Sequence, residues 1–81
     1  MKHITFYHAG CPVCVEAEQQ ILETVDKSAY HIFVIHLGEK PDLITEAEES
    51  GVKSVPAMVL GKTVFHINYG ASINDLKLEN K

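Results

Sequence analysis

Two cysteines, Cys11 and Cys14, are the whole thiol content of this 81-residue chain, and only Pro12 and Val13 separate them. They sit in the run His8, Ala9, Gly10, Cys11, Pro12, Val13, Cys14, after a short apolar segment and before a long helical pattern. Cys11 falls where a helix N-cap would stand. Pro12 falls at the first helical position, where its fixed φ suits the helix and its missing N–H is no loss. The unpartnered N–H groups of a first helical turn, and the positive end of the helix dipole, favour a thiolate at that cap. A free cysteine titrates near ~8.5, and the first cysteine of such a pair falls lower. Cys14 lies on the same helical face and further from solvent, placed to attack a mixed disulfide formed at Cys11. The spacing therefore points to dithiol exchange.

A zinc site is the competing chemistry, with two of His3, His8, His31, His36 and His66 completing the ligands. Zinc ligands usually come as two closely spaced pairs, and these histidines show no such spacing, so no metal is expected. His8 is the one histidine near the thiols. It either modulates Cys11 or is a solvated loop residue, while His31, His36 and His66 read as strand-face or strand-end residues.

The elements that must hold the pair follow from hydrophobic period. Residues 3–7 read as a strand, with Ile4 and Phe6 on one face and Thr5 and Tyr7 on the other. Residues 12–27 carry Cys14, Ala17, Ile21 and Val25 at helical spacing. Residues 30–37 form a second strand whose unbroken apolar stretch predicts cover on both faces and parallel pairing with the first. Pro41 opens a second helix with Leu43, Ile44 and Ala47 inward, and Gly51 caps it. Residues 57–60 and 63–67 are strands joined by Gly61 and Lys62 as a type II′ hairpin, with Met58 and Phe65 in the core. Tyr69, Gly70 and Ala71 turn the chain into a last helix, which Ser72 and Asp75 cap. The order is β-α-β-α-β-β-α.

At 81 residues there is chain for one domain, spanning residues 1–81. A net charge of −4, with seven scattered basic residues, argues against a nucleic-acid partner. The longest apolar run is too short for a bilayer, so no membrane partner is expected. No signal-peptide pattern opens the sequence, which makes the cytoplasm the expected location. In that reducing compartment a lone cysteine pair is catalytic or metal-binding rather than a structural staple.

The element order, the Cys-Pro-X-Cys turn after the first strand, and Ser54-Val55-Pro56 before the hairpin together resemble the glutaredoxin branch of the thioredoxin-like superfamily. The resemblance implies a three-layer α/β/α fold on a mixed four-stranded sheet. It makes Cys11 the nucleophilic and Cys14 the resolving cysteine, and Pro56 a cis proline facing them. Val55 would present its backbone to an extended substrate. Lys53 stands where a basic residue meets a glutathione carboxylate, while Gly70 and Asp75 resemble the turn and acidic residue near the other carboxylate. No bound cofactor is implied. Partners are disulfide-containing proteins, with glutathione or thioredoxin reductase as electron source. Departures are His8 in place of a lysine, Val13 in place of an aromatic, and Ala71 in place of a second glycine. His8 and Ala71 leave open a redoxin served by thioredoxin reductase, akin to the electron donors of ribonucleotide reductase; a second class of function is a binding protein on the same fold that uses the cysteine pair for a metal or for an iron–sulfur cluster across a dimer.

Overall fold

β-Branched and aromatic side chains dominate two segments, and both are strands: Lys2–His8 (β1) and Tyr30–His36 (β2). In the computed structural model, which describes residues 2–79, they pair in parallel with Ile4 beside Ile32 and His8 beside His36. A parallel pair needs a crossover, and the helix Pro12–Thr24 (α1) supplies it. A single 3-10 turn, Pro41–Leu43, leads into Ile44–Glu49 (α2). Ser54–Leu60 (β3), Thr63–Ser72 (β4) and Ile73–Glu79 (α3) complete the chain. The sheet order is β2-β1-β3-β4, with β3 antiparallel to both neighbours. This is the mixed four-stranded α/β architecture of the sequence reading.

Successive side chains of β1 take opposite faces of the sheet. The Tyr7 side chain turns toward α2, with Ser50 and Glu46 close by. His8 turns the other way, its Nε2 3.8 Å from Glu18 Oε1 on α1. Helices thus lie on both faces. Cys14, Leu37, Ala47, Val55 and Ala57 are completely buried within one apolar cluster that draws on all three helices and on strands β1 and β3. Gly51, at φ 101°, follows α2 in a conformation that only glycine takes easily, and Gly61, at φ 63°, makes the β3–β4 turn. The cap of α3 is reciprocal: Asp75 N–H donates to Ser72 Oγ at 3.0 Å, and Ser72 N–H to Asp75 Oδ2 at 3.4 Å. No helix among the described residues is long and apolar enough to cross a membrane.

Four expectations are corrected. Helix α1 stops at Thr24 because Val25 is extended, and beyond it the Asp26 carboxylate draws in both the N–H and the hydroxyl of Ser28 at 2.9 and 2.6 Å, a local turn that competes with helix. Tyr69, Gly70 and Ala71 belong to the end of β4 rather than to a turn, because Ala71 and Ser72 pair with Val55 and Ser54. Phe65 is 45% exposed on this edge strand instead of lying in the core. Strand β2 is the other edge, with Phe33 and Val34 exposed, so it is not covered on both faces.

Candidate active site

Strand β1 delivers the chain to the site, and a glycine turns it. Gly10 has φ 78°, and a Cβ there would come 2.7 Å from His36 Nε2, so both backbone conformation and neighbouring ring require glycine. Cys11 then caps α1 with extended φ and ψ, and Pro12 occupies the first turn. The Cys14 N–H donates to Cys11 Sγ at 3.1 Å, while the Cys11 carbonyl accepts the first helical bond from Val15 N–H at 3.0 Å. The two cysteines are joined as a disulfide, with Cα atoms 4.9 Å apart. Cys11 is partly exposed, whereas Cys14 is completely buried. One sulfur is therefore reachable and polarised by a backbone amide; the other is sealed beneath it.

The start of β3 and the end of β4 wall the reachable side. Val55 and Pro56 are buried, and the bond between them is cis. Val55 pairs with Ala71, which brings Gly70 against the disulfide. A Cβ built on Gly70 would run into Cys11 Sγ, and would stand 3.0 Å from the Val55 carbonyl oxygen and 3.1 Å from Val13 Cγ2. Cys11, Val55 and Gly70 thus form one contact surface with bare backbone on two sides.

The remaining sequence-derived residues fall elsewhere. Lys53 is exposed, and it borders a hollow of about 350 Å³ with Glu48, Gly51 and Asn74 that neither cysteine lines. Its backbone is fixed at both ends, N–H to His66 Nε2 at 3.1 Å and carbonyl to Ile73 N–H at 2.9 Å. Asp75 uses its carboxylate to cap α3. His8 is buried, not a solvated loop residue: it is the last residue of β1, with a side of its ring stacked on Phe6 and the ring of His36 4.6 Å away. Its Nδ1 accepts the Gly10 N–H at 3.2 Å.

The sequence marks His36 only as a strand-face or strand-end residue, yet it is part of the same scaffold. Its Nδ1 accepts the Glu39 N–H at 3.2 Å, and its ring fills the space that side chains at Gly10 and Gly38 would need. A signal existed in the sequence: His3 and His8 repeat the five-residue spacing of His31 and His36, and the β1–β2 register sets each pair side by side. Burial holds the pKa of His8 below the ordinary imidazole value, and His36 lowers it further, against the opposing pull of Glu18 and Glu39. Among the described residues, no three His, Cys, Asp or Glu side chains converge as a group that could hold a metal.

A fold of this kind, with an N-cap cysteine disulfide-bonded to the residue three on, defines a thiol-based redox protein. No family model matches the chain, and no curated protein matches it. Among solved structures it is similar to a dimeric thioredoxin-like protein from Nitrosomonas europea, determined by solution NMR. The two share 54% identity over 94% of this chain and 95% of that one, with a TM-score of 0.88. The chain belongs to the thioredoxin-like family.

Two outcomes follow. Because His8 binds its proton less readily folded than unfolded, the unfolded chain takes up protons first as pH falls below about 6.5, and the folded state loses stability there. The melting temperature of the wild type should drop over that window, and that of His8→Asn, whose amide oxygen can still accept the Gly10 N–H, should drop less; equal slopes would contradict the assignment. Gly70→Ala should slow disulfide exchange by about tenfold or more, since its methyl displaces the Cys11 sulfur. An unchanged rate would show that the approach of Gly70 to the sulfur is of no consequence.

Proposed function

We propose that the protein is a thiol–disulfide oxidoreductase of the glutaredoxin branch, working in the cytoplasm on protein disulfides and glutathione mixed disulfides, with glutathione as its reductant. The observation that carries this reading is the Cys14 N–H directed at Cys11 Sγ at 3.1 Å, with Cys11 accessible and Cys14 sealed. In the reduced protein the same amide stabilises negative charge on Cys11. The thiolate attacks one sulfur of the substrate, forming a mixed disulfide and releasing the other sulfur as thiolate. Cys14 then attacks Cys11 Sγ, closing the intramolecular disulfide and releasing the reduced substrate. Two electrons have passed from the pair to the substrate, and two glutathione thiols return them by the reverse exchange.

Docking follows from the strand ends. The ladder between β1 and β3 stops at Ala57, so Val55 has a strand neighbour only on the β4 side. An extended substrate segment can add to its other side, beside the sulfur. We assign the exposed cation of Lys53, at the entry to β3, to a glutathione carboxylate, and Gly70 to the bare wall against which the peptide lies. We also propose that the protein acts as a dimer, as its relative from Nitrosomonas europea is described.

Given glutathione disulfide, Cys14→Ser should accumulate a one-to-one glutathione adduct, visible by intact mass, and Cys11→Ser should not. The opposite pattern would exchange the two roles. Oxidised wild-type protein should be reduced by glutathione; reduction only by NADPH with thioredoxin reductase would move it out of the glutaredoxin branch.

A further inference from the structure

Strand β2, Tyr30–His36, carries the sequence of an interior strand at the edge of the sheet. Its seven residues, Tyr-His-Ile-Phe-Val-Ile-His, include no Lys, Arg, Asp, Glu, Pro or Gly. Edge strands ordinarily carry such residues, or a bulge, because their unpaired N–H and carbonyl groups would otherwise recruit another strand. Nor do the helices shield β2: α1 packs chiefly across β3 and β4, and α2 against α3. Phe33 and Val34, which point to opposite faces, are left 46% and 40% exposed.

The other edge, β4, also exposes apolar side chains, Phe65 and Tyr69 among them. It is interrupted, however. Between the pairs Ala57 with His66 and Val55 with Ala71, residues 67–70 stand opposite Pro56 alone. Such a bulge breaks the regular run of backbone groups that a further strand would need. Beyond it, Gly70 is committed to the Cys11 sulfur. Among the described strands, only β2 offers an uninterrupted, uncharged edge.

We infer that a second copy of this chain pairs with β2, antiparallel about a two-fold axis through Phe33, to make one continuous eight-stranded sheet from two four-stranded ones. This rests on the reading of the protein as a dimer and adds where the copies meet. A two-fold axis normal to the sheet reverses strand direction but keeps each face on its own side, so residues facing one another must share a face. Phe33 is the midpoint of β2, and centring the axis there overlaps all seven residues. Phe33 then meets Phe33, and Ile32 meets Val34, with no Asp, Glu, Lys or Arg side chain of β2 brought into the interface. The pairing also keeps function open. Cys11 follows the end of β1 that lies beside His36, and antiparallel pairing sends those ends in opposite directions, so neither redox pair is covered.

Sedimentation velocity separates this inference from the dimer reading beneath it. Wild type should sediment at twice the 9.0 kDa chain mass, Val34→Lys as a monomer, and Phe65→Lys, on β4, as a dimer. Wild type that stays monomeric at every concentration would overturn the dimer itself. A wild-type dimer that survives Val34→Lys but is lost in Phe65→Lys would leave the dimer standing and move the interface to β4. Should Val34→Lys fail to fold by circular dichroism, Phe33→Cys in a Cys11→Ser, Cys14→Ser background decides the matter. It should oxidise to a covalent dimer, because residues opposite one another in an antiparallel pair stand about 4.5–5.5 Å apart, within disulfide reach. Failure to cross-link, while Phe65→Cys in the same background does, would refute β2 as the seam.

Discussion

The amide hydrogen of Cys14 points at the sulfur of Cys11 because the first turn of α1 offers it no carbonyl. For that to happen the helix must begin on the cysteine itself. The chain must therefore leave β1, reverse at Gly10, and present Cys11 as a cap within three residues of the strand end. His8 and His36 hold that turn from beneath: one imidazole accepts the Gly10 N–H, and the other packs where a Gly10 side chain would have been. Proline at the first helical position adds a residue with no N–H to satisfy. Most of what surrounds the disulfide is thus arranged to place one amide under one sulfur.

The second demand is asymmetry between the two sulfurs. Cys14 belongs to the apolar cluster with Val55, Ala57 and Leu37, and it has no access to solvent. Cys11 opens between Gly70 and Val55, where the neighbouring surface is backbone rather than side chain. We propose that a sulfur walled in this way accepts an extended segment and excludes bulk. Size restricts how this can be built: with so short a chain the core that seals Cys14 is also the core that holds the sheet together. A change that loosens one loosens the other.

Much of this could be read from residue types. The cap, the proline and the cysteine spacing are local rules, and so is the Ser72–Asp75 box; all appear in the structure where the sequence places them. What escaped depends on partners distant in sequence. The buried state of His8 and the part played by His36 follow from the β1–β2 register, which no local pattern encodes. Gly70 shows its meaning only when Val55 pairs with Ala71 and lays it against the sulfur. Residues 30–37 form the expected strand, parallel to β1, but lack the expected cover on both faces: an apolar run reports that a strand prefers cover, not which molecule supplies it. Phe33 and Val34 stand open in one chain, and a neighbouring copy is our account of what closes over them.

The most direct test of the account is alkylation of the fully reduced protein by iodoacetamide at neutral pH, mapped by mass spectrometry. The account predicts that Cys11 reacts faster than a free cysteine under the same conditions while Cys14 stays unmodified. Equal slow reaction at both positions, or preferential modification of Cys14, would contradict it.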